Sequence, residues 1–272
     1  MKNYLLTSLF VFLTISVFAQ ASDLPKGETF QSIQYLDVNG MRMEFFTEVG
    51  TIQLRDENDH PIALSGFTYY KKKGAEANRP IVFAFNGGPL SASFWLHFGV
   101  LGPKRVVIND PDYTRPAPYE VVNNEFSILE KADLVMIDPI GVGFSRPIGD
   151  SKWEDFWGVD QDVRAIGLFI DQFLIRSGTY NAPKYLLGES YGTFRNAALV
   201  KHLQDKGINV NGVIMVSATF EIQHLRFAPG DDIAYLTHFP SYAATAWYHN
   251  RVNDKGENLE AFLDEVRSFT AN

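Results

Sequence analysis

The sequence predicts an α/β fold, a doubly wound and mostly parallel sheet with helices on both faces. Two observations support this prediction. Short apolar runs typical of buried strands recur near residues 81–86, 133–138, 184–189 and 211–217. Segments with helical periodicity separate them, such as Asp160 to Arg176, whose apolar residues fall on one face. Regular alternation of strands and helices is typical of a parallel sheet covered by its crossover helices.

Residues 30–73 come before this alternation and follow another pattern. Turn signals at Asn39-Gly40 and at residues 57–59 divide the segment into strand-like runs, as expected for antiparallel hairpins at the edge of a sheet. The lysines at 71–73 are interpreted as a solvated hairpin end. The predicted strands are Ile33 to Val38, Met41 to Phe46, Thr51 to Leu54 and Ala63 to Tyr70.

Beyond Ala218 the chain leaves the predicted sheet. Tyr242 to His249 and Asn258 to Phe269 have the composition and spacing of helices. This part of the chain is therefore expected to form a separate helical region.

The first 21 residues are predicted to be an export signal. Lys2 supplies a positive start, Tyr4 to Phe18 is apolar, and small residues at 19–21 suit cleavage. The alternative is a membrane anchor, but about fifteen apolar residues are short of the roughly twenty that span a bilayer. No cysteine follows the site, which excludes a lipoprotein anchor. We therefore expect a periplasmic or secreted protein with no membrane span once the signal is removed.

Composition narrows the class of function. The 272 residues are 46% hydrophobic, include no cysteine and carry a formal net charge of −8. This balance argues against nucleic-acid binding, for which a basic patch is expected. The sequence contains no phosphate-binding loop and no metal-ligand cluster, so no cofactor or metal is expected. Composition leaves the oligomeric state open.

The segment Gly188 to Gly192 has the G-x-S-x-G pattern that presents a nucleophilic serine on a sharp strand-to-helix turn. An apolar strand at 184–187 precedes it. A segment without glycine or proline, Thr193 to Asp205, follows it and predicts a largely buried helix. The alternative interpretation is an ordinary Gly-Ser turn. The agreement of strand, turn and helix favours Ser190 as a nucleophile.

A second glycine turn lies where such a serine needs it. The strand Ile81 to Phe85 runs directly into Asn86-Gly87-Gly88-Pro89. Acyl transfer requires two backbone N–H groups aimed at the developing oxyanion, one from the residue after the serine and one from an earlier glycine-rich loop. Gly88 and Tyr191 are the predicted pair of donors, although the loop on its own could be an ordinary turn.

These motifs resemble those of the serine carboxypeptidases of the α/β-hydrolase fold, most closely the bacterial members. The resemblance covers roughly residues 30–270 and consists of ordered motifs. They are the Asn86 loop with Ser91 and Ser93, followed by residues 95–103; Asp138 to Ser145; Gly188 to Gly192; and Tyr242 to Tyr248.

The resemblance implies a serine-type carboxypeptidase domain over residues 22–272, with peptide or protein C-termini as substrates. Ser190 would form the acyl-enzyme. Asn86 and Glu189 would bind the terminal carboxylate of the substrate. Because two close carboxyl groups cannot both ionise cheaply, Glu189 and that terminus would share one proton, and an acidic optimum is expected. The region from about residue 218 would begin the cap over the active site.

The sequence also departs from the family. In α/β-hydrolases an Asp and a His follow the serine, and no segment resembling the family's late Asp and His strands lies after Ser190. The histidines that do follow lack that context, and His202 is expected to be a solvated surface residue. The chain is therefore expected to be a fragment or a truncated product with an exposed sheet edge and little or no peptidase activity. Leu90 replaces a family glycine and would be strained if that position has positive φ.

Two alternatives remain open. The same nucleophile could serve an esterase or acyltransferase, because this turn supports many substrates. From a different class, the chain could be a non-catalytic binding protein or an inert fragment, which the missing Asp and His favour.

Overall fold

The protein is described by a computed structural model over residues 24–76, 78–108, 116–253 and 255–271. The predicted export signal lies outside these residues. The described chain divides into two compact units, one ending at Ala218 and the other starting at Thr219. No helix within the described ranges has the length and apolarity needed to cross a bilayer.

Three long antiparallel strands begin the first unit: β1 (Thr29–Val38), β2 (Met41–Arg55) and β3 (Pro61–Lys72). Asn39 and Gly40 form the tight β1–β2 turn with φ of 51° and 75°, values that Asn and Gly tolerate. The prediction of two strands over 41–54 was wrong. Gly50 has a partner in both neighbouring strands, so the ladder continues through residues 47–50 without a break.

The next strand, β4 (Ile81–Phe85), is buried along its whole length. A short helix, α1 (Phe94–Leu96), follows it and continues as a π-helical turn, His97–Leu101. A two-stranded ribbon of β5 (Lys104–Val106) and β6 (Val121–Asn123), which the sequence did not predict, comes after. A 3₁₀ turn then lies at Ile128–Glu130.

The remaining elements of the first unit alternate as predicted. They are β7 (Asp133–Ile137), β8 (Arg146–Pro147), a 3₁₀ turn (Trp153–Phe156), α2 (Val159–Ser177), β9 (Lys184–Glu189), α3 (Tyr191–Asp205) and β10 (Gly212–Val216). The sheet order is β1-β2-β3-β7-β4-β9-β10, with β8 paired to β3. The strands from β7 to β10 in this order run parallel. The α/β fold class predicted from the sequence is confirmed.

Each face of the sheet contributes to a buried core. On one face, Phe67 of β3 and Phe83 of β4 pack with Phe169 and Phe173 of α2, with ring centroids 5.8–5.9 Å apart. The opposite face contributes Tyr70, Val82, Leu134 and Leu187, which pack with Leu96 and Leu101. The central strands are therefore covered on both sides, as their continuous apolar runs indicate.

Among the described strands, β10 is the last in the sheet order, and Val213, Ile214 and Met215 in it are 38%, 38% and 45% exposed. An exposed apolar edge strand is a template for pairing with another strand and favours aggregation.

The second unit contains a 3₁₀ turn (Ile222–Leu225) and two helices, α4 (Asp232–Tyr248) and α5 (Leu259–Thr270). Helix α4 starts at Asp232, before the predicted start at Tyr242. Pro240 lies inside the helix and does not end it. The two helices contact each other, for example through the rings of Phe239 and Phe269 at 5.9 Å. Asn258 caps α5 by accepting a hydrogen bond from the Ala261 N–H.

Candidate active site

Ser190 occupies a strained turn between β9 and α3. Its φ of 54° and ψ of −120° lie outside the conformations that side-chain-bearing residues prefer. Hydrogen bonds hold it there, since its N–H donates to the Val216 carbonyl at 3.0 Å and its carbonyl accepts from the Thr193 N–H at 2.9 Å. A β-carbon at Gly188 would lie 2.1 Å from the Gly192 carbonyl oxygen. The turn therefore has the geometry that presents a nucleophile, and it requires glycine at 188.

The loop after β4 packs directly against this turn. A β-carbon at Gly87 would lie 2.5 Å from the Tyr191 nitrogen and 3.0 Å from the Ser190 Cβ. Gly88 follows with φ of 107°, and Leu90 has φ of 66°. Leu90 therefore occupies the left-handed region that favours glycine, at a cost of about 1–2 kcal/mol. The close packing brings the backbone around the two predicted oxyanion donors, Gly88 and Tyr191, together.

Asn86 and Glu189, the predicted carboxylate-binding residues, contact each other. The Asn86 Nδ2 donates to Glu189 Oε2 at 3.0 Å, and the Gly87 N–H points to the same oxygen at 3.4 Å. The Asn86 Oδ1 accepts from the Leu96 N–H at 3.1 Å, and Asn86 is only 3% exposed. Helix α1 thus fixes the amide, which in turn orients the carboxylate beside Ser190.

An open cavity of about 520 Å³ collects most of the predicted site. Asn86, Gly88, Glu189 and Ser190 all line it. Tyr191 does not line it and enters the arrangement through its backbone nitrogen, which lies against Gly87. The rest of the wall is largely apolar and consists of Ser91, Trp95, Leu96, Val100 and Val216. The cavity therefore combines a serine hydroxyl and one carboxylate–amide pair with an apolar side.

The segment from Asp138 to Ser145 supports the glycine loop from the other side. The Asp138 Oδ1 accepts from the Ser93 N–H at 2.8 Å, and the Ser145 hydroxyl donates to the Asp138 carbonyl at 2.7 Å. Burial raises the pKa of the Asp138 carboxyl, and the hydrogen bond from Ser93 opposes this shift. A β-carbon at Gly143 would lie 2.2 Å from Asp138 Oδ2. These contacts connect the end of β7 to the loop that carries Gly88.

Sequence reasoning missed a buried ion pair behind the site. It treated the helix after Ser190 as apolar, but Arg195 of α3 is 0% exposed and Asp162 of α2 lies beside it. The Arg195 Nε donates to Asp162 Oδ2 at 2.7 Å, and its Nη2 donates to Asp162 Oδ1 at 3.2 Å. Its Nη1 donates to the Asn86 carbonyl at 2.9 Å. The sequence contains a partial signal, because Arg195 precedes Leu199 by four residues and so shares its helical face, but the partner Asp162 lies thirty-three positions away.

The expectation that His202 is a solvated surface residue was wrong. A β-carbon at Gly167 of α2 would lie 2.5 Å from the His202 ring, so this histidine packs between the two helices. Burial lowers its pKa, and Lys206 adds to that shift. The Nε2 atom is buried without a hydrogen-bond partner among the described residues. His202 therefore serves helix packing rather than the serine.

The other histidines that follow the serine lie in the second unit. There, His224 contacts Asp231 and Glu221, and its pKa is raised by these carboxylates, with the Asp231 hydrogen bond as the largest cause. His238 contacts the Ala234 carbonyl at 2.8 Å. Within the described ranges, the Ser190 hydroxyl has no hydrogen-bond partner, and no group of His, Asp and Glu side chains has metal-site geometry.

Comparison with known proteins gives a consistent family. The family model for serine carboxypeptidases matches residues 43–264 of this chain. Among curated proteins, "Probable serine carboxypeptidase CPVL" of Dictyostelium discoideum is 26% identical over 235 residues, which cover 84% of this chain and 43% of that protein. "Carboxypeptidase Y homolog A" of Trichophyton rubrum is 29% identical over 165 residues, which cover 57% of this chain and 27% of that protein.

Solved structures also match this chain. A prohormone-processing carboxypeptidase from Saccharomyces cerevisiae matches at 20% identity with a TM-score of 0.47, covering 83% of this chain and 53% of that one. The chain thus spans about half or less of the length of the relatives it matches.

Proposed function

The chain belongs to the serine carboxypeptidase family, and from that premise we propose that the protein carrying it removes C-terminal residues from peptides through an acyl-enzyme on Ser190. One observation supports this proposal above the others. The strained Ser190 turn, the glycine loop and the Asn86–Glu189 pair share one cavity.

The proposed first step is attack of the Ser190 hydroxyl on the carbonyl carbon of the last peptide bond. The tetrahedral oxyanion would accept hydrogen bonds from the Gly88 and Tyr191 N–H groups, each such donor contributing on the order of 10²-fold to the rate. The C-terminal amino acid then leaves with a proton, and water releases the acyl group in the second half of the reaction. The packing of Gly87 against the Tyr191 nitrogen supports this assignment of donors.

Recognition of the free C-terminus is assigned to Asn86 and Glu189. The amide would donate to the substrate carboxylate, and Glu189 would share one proton with it. The expected consequence is an acidic optimum. A peptidase rate that climbs steadily from pH 5 to pH 8 would count against this role, as would a Glu189→Gln variant with the parent's pH profile.

Turnover also requires a general base for Ser190. No described residue of the first unit hydrogen-bonds to the Ser190 hydroxyl. Because this chain covers only about half of the length of its relatives, we assign full activity to the whole protein. For the 272-residue chain alone we propose little or no peptidase activity, because no described residue hydrogen-bonds to the Ser190 hydroxyl. A fragment without catalysis is the alternative from a different class.

A related esterase or acyltransferase is the alternative within the same fold, since this turn serves many acyl substrates. Only Asn86 and Glu189 favour a peptide with a free carboxylate. The apolar run in residues 4–18 supports export of the protein to the periplasm or the medium.

The test compares the whole protein that carries this chain with its Ser190→Ala variant on three N-blocked dipeptides, which end in a free acid, an amide or a methyl ester. Reaction of Ser190 with an alkyl fluorophosphonate is read by mass spectrometry in parallel. We expect one adduct on Ser190, and release of the C-terminal amino acid from the free acid in preference to the amide. Hydrolysis of the ester alone would favour the alternative, and labelling that persists in Ser190→Ala would refute the nucleophile.

A further inference from the structure

Arg195 is a charged side chain with no exposed surface, located one and a half turns along α3 from Ser190. We propose that Arg195, held by Asp162, is a positioning residue that sets the orientation of the Asn86–Gly87 peptide and thereby of the oxyanion loop. This inference rests on the proposed function, because it concerns the geometry of that same site.

The peptide group between Asn86 and Gly87 is held at both ends. Its carbonyl oxygen accepts from the Arg195 Nη1 at 2.9 Å. Its N–H points to Glu189 Oε2 at 3.4 Å. Two opposed partners fix the rotation of a peptide plane, and the next N–H along the chain is that of Gly88. Arg195 therefore determines where the first predicted oxyanion donor points.

The second predicted donor lies against the same side chain. The Arg195 Cζ lies 5.3 Å from the ring centroid of Tyr191 and 4.9 Å from that of Phe85. The guanidinium thus contacts both the residue that ends β4 and the residue that begins α3. Through these contacts it connects the two backbone segments that must meet around the oxyanion.

Only a guanidinium suits this position. A buried cation requires a paired anion, and Asp162 accepts from both Nε and Nη2, at 2.7 Å and 3.2 Å. The remaining nitrogen is then directed to the Asn86 carbonyl by the planar shape of the group. A lysine ammonium at 195 could reach one of these partners but could not hold both in this geometry. We therefore expect Arg195→Lys to behave like Arg195→Gln.

The test uses the full 272-residue chain and two readouts. Amide hydrogen exchange of Gly87 and Ser91 reports the loop, because the Ser91 N–H donates to the Gly87 carbonyl at 3.2 Å. The rate of fluorophosphonate labelling reports the site. Asp162→Asn is the second variant, since it keeps a neutral hydrogen-bonding partner if the Arg195 variants fold poorly. Leu199→Ala is the matched control, because Leu199 is equally buried on the same helix and packs in the apolar core.

We expect exchange at Gly87 and Ser91 to rise at least about tenfold more than at the core amides of α2 in the Arg195 and Asp162 variants. Labelling of Ser190 should slow by about 10²-fold, the cost of misplacing a reacting group by about 1 Å. Leu199→Ala should raise exchange evenly. If the exchange rates at Gly87 and Ser91 rise only as much as those at the core amides of α2, the proposal is overturned. Slow labelling of the parent chain is expected if Ser190 has no general base, and it leaves the nucleophile assignment unchanged. In that case exchange at Gly87 and Ser91 alone decides the role of Arg195.

Discussion

Replacing His97 with glutamine should make the fold less sensitive to mild acid. His97 lies in the π-helical turn after α1 and is partly buried, with its Nε2 atom 2.6 Å from the Tyr70 hydroxyl. Burial lowers the pKa of this imidazole from 6.5 to about 4. The native state therefore keeps His97 neutral at a pH where the unfolded chain has already bound a proton.

The sign follows from this depressed pKa. Stability contributed by neutral His97 is fully present above pH 6.5 and is lost as the pH falls from 6.5 towards 4, because the unfolded state binds more protons. The whole shift corresponds to about 3 kcal/mol at about 1.4 kcal/mol per pH unit. Between pH 8 and pH 5 the loss is about 2 kcal/mol. A protein with an acidic optimum would work within this window.

Urea unfolding at pH 8 and pH 5, followed by circular dichroism, measures the effect. The parent chain should lose about 2 kcal/mol more than His97→Gln over this range. Tyr70→Phe removes the hydroxyl that lies 2.6 Å from Nε2, so the pH dependence of this variant separates the effect of that hydrogen bond from the effect of burial, which lowers the pKa of His97. Proton NMR of the His97 ring measures this pKa directly, and a titration midpoint near 6.5 in the folded protein would show that burial does not lower it.

Three further changes test the loop and the core. Gly87→Ala should lower the free energy of unfolding by about 1–3 kcal/mol and stop Ser190 labelling, because its β-carbon would lie 2.5 Å from backbone atoms of Glu189 and Tyr191. Gly99→Ala is the control, since a β-carbon there has open space around it. An equal loss of stability in both variants, measured by urea unfolding, would contradict the steric explanation. Leu90→Gly should raise the free energy of unfolding by about 1 kcal/mol, because glycine tolerates the positive φ at this position and the leucine side chain it removes is 51% exposed. A lower urea midpoint than the parent's would argue against strain at Leu90. Asp133→Asn should cost about 3 kcal/mol, because it leaves the Arg79 guanidinium, 3.0 Å from Asp133, without its anion; an unfolding free energy within about 1 kcal/mol of the parent's would show that the pair contributes little.

Local patterns predicted the parts of the site that depend on neighbours in the sequence. Ser190 lies between a strand and a helix, and both could be recognised from runs of apolar residues and the flanking glycines. The loop at Asn86 was found in the same way, because it follows an apolar strand. The sequence predicted that Leu90 would be strained if φ at this position were positive, but it could not predict the sign of φ. That sign depends on how the loop packs against the turn at Ser190.

The features that the sequence did not reveal depend on contacts between distant segments. Arg195 is buried because Asp162, thirty-three positions away, supplies its anion. His202 is partly buried because Gly167 leaves room for its ring on the neighbouring helix. The strand β2 continues through residues 47–50 because both neighbouring strands pair with it. None of these partners can be identified from local composition. A charged residue on a helix is expected to be solvated unless its partner is known.

Binding of a free C-terminus by the Ser190→Ala chain tests the proposed carboxypeptidase function without turnover, because binding needs no general base. Isothermal titration calorimetry would compare an N-blocked dipeptide acid with its amide at pH 5 and pH 8. We expect the acid to bind at least about tenfold more tightly than the amide at pH 5, a difference of about 1.4 kcal/mol. This advantage should shrink by pH 8 and disappear in Glu189→Gln. Equal affinity for acid and amide at both pH values would contradict the assignment of the Asn86–Glu189 pair, and with it the carboxypeptidase function.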